Sequence, residues 1–181
     1  MILGIAGTLG AGKGTVVEYL KQKGFVHYST SGMLKAILES QGQVPRREAY
    51  TWLGDSFRDL GPAGPIAIQY GIAKHDSRPL IIESIHDVPE AEFLKQKGAI
   101  ILGVDAPLET RYERIQKRGS EKDNVTFEQF KAIAIHEEDG GGKHNIRAVI
   151  KMADAVIENN SSFEELRRQV DDFLASIGTV N

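Results

Sequence analysis

A cluster of glycines between an apolar run and a helical pattern is the feature that most constrains this chain. Residues 4–20 read GIAGTLGAGKGTVVEYL, in which Gly7, Gly12 and Lys13 satisfy the spacing G-x-x-x-x-G-K. The preceding MILGIA is short and apolar, as a buried strand is, and the following segment has the apolar spacing of a helix. A strand, a glycine loop and a helix in that order predict a loop that binds phosphate groups.

Each part of this loop has a chemical reason. Backbone N–H groups wrap phosphate oxygens only where residues lack a Cβ and tolerate positive φ, and the following helix directs its positive end at the same oxygens. Lys13 adds a charge that follows the β and γ phosphates during transfer. A dinucleotide-binding G-x-G-x-x-G does not fit, because Thr15 stands where the third glycine is needed. The predicted nucleotide-binding residues are Gly10, Ala11, Gly12, Lys13, Gly14 and Thr15.

The hydroxyl that usually follows the loop lysine is displaced by one residue. Gly14 follows Lys13, and Thr15 carries the hydroxyl. We therefore expect Mg²⁺ to be held by Thr15 together with the phosphates, water and an acid from the third strand.

Apolar runs alternate with helical patterns along the whole chain. Such alternation, with strands apolar throughout, predicts a parallel sheet covered by helices on both faces. The fold class is thus α/β: a three-layer P-loop NTPase fold with a five-stranded parallel sheet and two helical insertions. The predicted strands are MILGIA, FVHY, PLIIES, AIILGVDA and ADAVIEN.

We expect one P-loop kinase domain over residues 1–181. Two stretches fall outside the alternation, one because it lacks a convincing strand and one because it is highly charged and ends in EEDGGGKH. The division is a core of 1–29, 76–118 and 146–181, an acceptor-binding insertion of 30–75, and a lid of 119–145.

Composition narrows the class of protein. The net charge of −3 gives no general attraction to nucleic acid, so we expect anion binding to be local and nucleic acid to be an unlikely partner. The chain has no cysteine, which excludes disulfides and thiolate chemistry and is compatible with a reducing cytosol. No apolar stretch approaches the ~18 residues of a membrane span, and we expect a cytoplasmic protein without a membrane partner.

The form G-x-x-G-x-G-K-G-T resembles the adenylate kinase and nucleoside monophosphate kinase family. YSTSGMLK resembles the stretch that opens that family's acceptor insertion, and RYERIQKR resembles the start of its lid. The later ADAVIEN and the amphipathic last helix are more similar to dephospho-CoA kinases and less-characterised nucleotide-kinase relatives.

The resemblance implies roles for several side chains. Arg114 and Arg118 become catalytic cations of the lid, whereas Arg111 on the same helix face stays open between a catalytic role and surface pairing with Glu109 and Glu113. Lys143 and Arg147 are further candidate cations of the lid. Asn159 falls near the nucleotide base. The implied acceptor-binding residues are Ser29, Thr30, Lys35, Arg47 and Arg58.

The chain departs from the family after the third strand. Glu83-Ser84 stands where the family has Asp-Gly, and no arginine follows shortly after. We predict that Glu83 is a catalytic residue that orients the Mg²⁺ hydration shell, directly or through water.

Sequence pattern alone predicts the roles of two further residues and one further run. Trp52 has the spacing of a core residue. Asp105 is expected to cap the helix after the fourth strand. The run HEED at 136–139 is either a divalent-ion site or, more commonly, a solvated charge run.

The predicted function is an ATP-dependent kinase that transfers the γ-phosphoryl group to a nucleoside monophosphate or related nucleotide, with ATP and Mg²⁺ as cofactors. Two alternatives stay open: transfer to a hydroxyl, as in dephospho-CoA kinases, and an ATP-binding regulatory protein with little kinase activity. The acceptor's base and sugar and the oligomeric state are not predicted.

Overall fold

The computed structural model describes residues 1–119, 124–139 and 144–178. Within them five parallel strands form one sheet in the order β2-β3-β1-β4-β5. The predicted α/β fold with a five-stranded parallel sheet is confirmed. The strands are β1 (Ile2–Gly7), β2 (Val26–Ser29), β3 (Leu80–Ile85), β4 (Ile100–Asp105) and β5 (Ala155–Glu158).

Helices connect the strands and cover both faces of the sheet. No helix of the described residues is long and apolar enough to cross a membrane. The helices are α1 (Lys13–Gln22), α2 (Thr30–Ser40), α3 (Arg47–Leu60), α4 (Gly64–Ala73), α5 (Val88–Gln96), α6 (Leu108–Arg118), α7 (Phe127–Glu138), α8 (Ile146–Lys151) and α9 (Phe163–Ser176).

The core lies in two layers because the side chains of each strand alternate between the two faces. On β1, Leu3 and Ile5 join the layer that is covered by α1 and α9. Ala6 joins the opposite layer, which includes residues of α4, α5 and α8. Such two-sided burial is why these strands are apolar throughout.

The two predicted insertions carry helices α2 to α4 and helix α7. A small separate cluster of Leu34, Leu38 and Leu53 joins α2 to α3. In α7, Phe130 is fully buried and lies 5.6 Å from the ring of Tyr112 on α6. Residues 120–123 and 140–143 of the predicted lid, with Lys143 among them, lie outside the described residues.

A bulge interrupts β3 at the edge where the strands end. Ile5 pairs with Glu83 but Ala6 pairs with Ile85, so Ser84 is the extra residue. Its φ of 68° lies in the left-handed region that glycine adopts freely and other residues rarely adopt. Ser84 stands where the resembled family has glycine, and the structure requires that conformation here.

Candidate functional site

The carboxyl ends of the five strands meet at one edge of the sheet, which is where ligands bind in folds of this kind. A cleft of about 1060 Å³ opens there. The glycine loop, the start of α1, the ends of β2 and β3, and residues from α2, α3, α6, α7 and α9 line it.

The loop between β1 and α1 has the backbone geometry that its sequence requires. Gly10 and Gly12 have φ values of 81° and 97°. A Cβ on Gly12 would collide with the amide of Asn159, and a Cβ on Gly10 would lie 2.7 Å from the carbonyl oxygen of Arg111. Both glycines are therefore needed for conformation and for close packing.

Lys13 begins α1 and folds back over the loop. Its Nζ donates to the carbonyl oxygens of Gly7 at 2.7 Å and Thr8 at 3.0 Å. Burial lowers the pKa of Lys13, while the carboxylates of Glu137 and Glu83 act in the opposite direction. A half-buried ammonium near two carboxylates and the positive end of a helix is suited to a polyphosphate.

The residues after Lys13 leave room for a ligand. A Cβ on Gly14 would meet nothing within 4 Å, and the half-buried Thr15 lines the cleft. Thr15 and Glu83 offer hydroxyl and carboxylate oxygens, the donors that Mg²⁺ prefers. The donor set therefore fits a magnesium ion held partly by phosphates and water.

A buried ion network supports the loop from behind. Arg111 donates to Glu138 at 2.7 Å, and Arg147 donates to Glu138 and to Asp105. Asp105 in turn accepts a hydrogen bond from the fully buried Thr8 of the loop at 2.7 Å. All these charges are paired within the protein, so the network fixes the loop instead of facing the cleft.

This network corrects three expectations. Arg111 is 2% exposed and pairs with Glu138, so the expected surface pairing with Glu109 and Glu113 is wrong. Asp105 does not cap α6, whose N-cap is Pro107. The HEED run is not a solvated charge run, because Glu138 is buried and Glu137 lines the cleft. Within the described residues no group of three or more His, Asp or Glu has the arrangement of a metal site.

Arg114 and Asn159 hold the front of the loop. Arg114 donates to the Ala11 carbonyl oxygen and to Asn159 Oδ1, each at 3.3 Å. Asn159 Nδ2 donates to the same Ala11 oxygen at 2.7 Å. Arg114 and Arg118 line the cleft as the resemblance implies, whereas Asn159 is 7% exposed and contacts the loop backbone instead of lining the cleft.

Glu83 lies on β3 just before the bulge at Ser84 and lines the cleft. Its Oε1 accepts a hydrogen bond from Ser29 Oγ at 3.1 Å and lies 3.4 Å from His27 Nε2. Burial raises the pKa of Glu83, but the influence of His27, Ser29 and Lys13 is larger in sum, and the net shift is downward. Glu83 therefore stays anionic, as a carboxylate that orients metal-bound water must.

The predicted acceptor residues all lie along the cleft, in different states. Thr30 is 1% exposed and its Oγ1 has no partner among the described residues. Lys35 is exposed and 3.6 Å from Glu39. Arg47 donates to Glu137 at 3.0 Å. The residues predicted to bind the acceptor are therefore distributed over α2 and α3 and do not form one cluster.

The Arg58 side chain is 8% exposed and is paired on several sides. Its NH2 lies 2.7 Å from the fully buried Glu90, and its NH1 bonds to Asp55 and to His144 Nε2 at 3.2 Å. The His144 ring packs edge-on against His86, with ring centroids 5.0 Å apart. Burial, followed by the neighbouring His144 and Arg58, holds the pKa of His86 well below its usual range.

Sequence reasoning did not identify Glu137 or the residues of the α9 side as parts of the cleft. Phe130, Ala134 and Glu138 recur every fourth residue on the buried face of α7, and this spacing was a signal that the charged run is not wholly solvated. Phe163 and Arg167 of α9 also line the cleft, where the Arg167 guanidinium lies 5.4 Å from the ring centroid of Tyr19. No sequence motif marks these two α9 residues as parts of the cleft.

The expectation for Trp52 was wrong. Its side chain is 58% exposed and lines a second hollow of about 610 Å³ between α3 and α7. The hydrophobic spacing of α3 places Leu53, not Trp52, in the small core with α2. Arg47, Thr51, Glu137 and His144 belong to both hollows, so the two adjoin.

The fold and the loop define a P-loop NTPase with the architecture of a P-loop kinase. The chain belongs to the AAA_18 family, whose model, described as an AAA domain, matches residues 3–136, and to the UPF0200 proteins. A UPF0200 protein of Pyrococcus horikoshii is 30% identical over 98% of this chain and 97% of its own length. Another from Pyrobaculum aerophilum is 28% identical over 97% of this chain and 98% of its own length.

Solved structures share the fold. TT1252 from Thermus thermophilus matches with a TM-score of 0.63 and 22% identity over 98% of this chain and 97% of that chain. Shikimate kinase from Acinetobacter baumannii, solved with shikimate, matches with a TM-score of 0.61 and 20% identity over 97% and 92% of the two chains. At these identities the likeness concerns the fold. The closer resemblance to adenylate kinases stays a prediction.

Proposed function

We propose that this protein is an ATP-dependent kinase of a small, nucleotide-like molecule. The observation that carries the proposal is the loop, in which two positive-φ glycines and the half-buried Lys13 line a large cleft beside the start of a helix. The location proposed for it is the cytoplasm, a reducing compartment with which a chain free of cysteine is compatible.

The residues of the cleft have distinct tasks in this proposal. The loop amides and Lys13 hold the β and γ phosphates, and Arg114 and Arg118 neutralise charge as the γ-phosphoryl group moves. Thr15 and Glu83 would hold Mg²⁺, directly or through water, and that ion would supply charge neutralisation between the β and γ oxygens. Phe163 and Arg167 are candidates for contacts with the nucleoside of ATP.

The acceptor is first sought among nucleoside monophosphates, as the sequence resemblance implies. Ser29, Thr30, Lys35, Arg47 and Arg58 all border the cleft and are the residues proposed to bind it. A second candidate is a hydroxyl acceptor on a nucleotide-like molecule such as dephospho-CoA. That candidate is favoured by the two carboxylates, Glu83 and Glu137, which face the loop lysine.

The experiment is a transfer assay over ribo- and deoxynucleoside monophosphates, dephospho-CoA and ATP alone, with and without Mg²⁺. Wild type is compared with Lys13→Ala, and Lys21→Ala on the exposed side of α1 is the matched control. We expect product from one acceptor class, abolished in Lys13→Ala and unchanged in Lys21→Ala.

Two results would count against this function. Equal turnover by a folded Lys13→Ala variant would remove Lys13 from catalysis. Tight ATP binding without product from any acceptor, and without Lys13-dependent hydrolysis, would favour the regulatory alternative.

A further inference from the structure

Two carboxylates that act on Lys13, Glu83 and Glu137, line the cleft with it, and their surroundings differ. Glu83 belongs to β3 and accepts a hydrogen bond from Ser29 while lying close to His27. Glu137 belongs to α7 and accepts from Arg47 on Oε1. Within the described residues, no donor reaches Glu137 Oε2. One carboxylate is held by its neighbours, and the other keeps an oxygen available to a ligand.

The surroundings of Glu137 also favour a proton acceptor. Burial raises its pKa, opposed in part by Arg47 and Lys13. A carboxylate at the edge of a cleft with a raised pKa accepts a proton more readily than a fully hydrated one.

We propose that Glu137 is the base that takes the proton from a hydroxyl acceptor, and that the group phosphorylated by this protein is an alcohol. The inference rests on the proposed kinase function and deepens it. The acceptor O–H bond breaks as its proton passes to Glu137 Oε2, the acceptor oxygen bonds to the γ-phosphorus, and the bond from that phosphorus to the bridging oxygen of ADP breaks. ADP leaves, and Glu137 afterwards releases the proton to water.

The cations of the acceptor side also favour an alcohol. Each is already paired with a carboxylate: Arg58 with Glu90 and Asp55, Arg47 with Glu137, and Lys35 with Glu39. A phosphate dianion would have to compete with these anions for the same guanidinium and ammonium groups. A neutral hydroxyl needs only a proton acceptor and a hydrogen-bond donor, and Thr30 Oγ1 is buried and unpartnered at the cleft.

Arg47 is the positioning residue for Glu137. Its guanidinium joins α3 to α7, holds the carboxylate towards the loop and opposes its protonation. Other charged or titratable groups around Glu137 are Lys13 at the loop, Glu138 on its own helix, and, along the adjoining hollow, His136, His144, Glu48 and Asp55. The acid side of the rate profile is therefore predicted to depend on Arg47.

The experiment measures Lys13-dependent transfer to dephospho-CoA, to nucleosides, to nucleoside monophosphates and to water across the acid and neutral pH range. ATP affinity is measured in parallel with a fluorescent analogue. The variants are Glu137→Gln, Glu137→Asp and Arg47→Gln. The matched control is Glu128→Gln, an exposed glutamate in the first turn of the same helix.

We expect Glu137→Gln to lower kcat about 10²- to 10⁴-fold, which is the range for loss of a general base. ATP affinity should be unchanged, and the fall of kcat at acid pH should disappear. Glu137→Asp should recover part of the rate. Arg47→Gln should move the fall of kcat at acid pH (the acid limb of the pH–rate profile) to higher pH, because removing the guanidinium raises the pKa of Glu137 further.

Three results would overturn the inference. One is a Glu137→Gln variant whose kcat, and whose fall of kcat at acid pH, are both unchanged. That result would leave the proposed kinase function intact. Another is an acceptor that proves to be a phosphate group. The third is an acid limb that does not move in Arg47→Gln, a readout that remains available even if Glu137→Gln does not fold. Absence of any Lys13-dependent reaction would instead refute the proposed function on which the inference rests.

Discussion

Replacement of Glu138 by alanine tests whether the ion network behind the loop holds the molecule together. Glu138 lies 2.7 Å from Arg111, and the two side chains are only 9% and 3% exposed. Removal of the carboxylate leaves the Arg111 guanidinium buried without its counter-charge. Arg147 is 39% exposed and keeps Asp105, so its loss is smaller.

Two general magnitudes bear on the loss of stability in Glu138→Ala. Two unit charges about 4 Å apart interact with roughly 4 kcal/mol at an effective dielectric constant of about 20. Removing one partner of a buried ion pair destabilises proteins by about 3–5 kcal/mol, because the remaining charge cannot be hydrated. We therefore expect Glu138→Ala to lower the free energy of unfolding by about 3–5 kcal/mol.

Urea unfolding followed by circular dichroism measures this change. Glu128→Ala is the matched control, since its side chain is exposed on the same helix, and it should change stability by less than about 0.5 kcal/mol. The double variant Arg111→Met with Glu138→Leu should recover most of the loss, because apolar groups of similar size often replace buried pairs without destabilisation.

The same variant carries a functional readout. Arg111 NH1 is 3.4 Å from the Leu9 carbonyl oxygen, and the Arg111 backbone packs against Gly10 of the loop. ATP affinity should therefore fall in Glu138→Ala even where the protein remains folded. Wild-type stability and wild-type ATP affinity in this variant would refute the claim that the network supports the loop.

Two smaller changes test local features of the site. Ser84→Gly should raise the free energy of unfolding by about 0.5–1 kcal/mol in urea melts, because relief of the left-handed backbone exceeds the added freedom of the unfolded chain; a loss of stability would show that the Ser84 side chain matters more than its φ. His86 is neutral in the folded protein because its pKa is depressed, so its contribution to stability is present above pH ~6.5 and is lost as the pH falls towards its native pKa, at up to about 1.4 kcal/mol per pH unit. His86→Gln should flatten that part of the stability profile, and an unchanged slope would mean that other groups set it.

The fold was predictable because its signals are local and repeated. Each strand is an apolar run bounded by turn residues, and the glycine loop fixes how β1 passes into α1. The bulge at Ser84 was not predictable, since no local pattern indicates that this serine takes a positive φ. Its conformation follows from the register between β1 and β3, which only the assembled sheet sets.

The sequence predicted the candidate site well for the residues of the glycine loop itself. It predicted less well the residues that reach the site from elsewhere in the chain. The roles of Arg111 and Asp105 depend on Glu138 and Arg147, which come from later elements, so their partners could not be inferred from spacing along α6. Trp52 was misplaced for a similar reason: an aromatic residue at helical spacing predicts burial, but the neighbouring Leu53 occupies the core instead.

Helix α7 shows why charge in a sequence run is a poor guide to its place in the fold. Adjacent residues on a helix point about 100° apart, so one can face the core while its neighbour faces a cleft. Glu138 joins the network that supports the loop, whereas Glu137 reaches the cleft beside Lys13. The two positions should therefore fail in different ways: loss of Glu138 should reduce stability and ATP affinity, and loss of Glu137 should reduce the rate alone. Identical defects in both variants would mean that the two carboxylates act as one structural cluster.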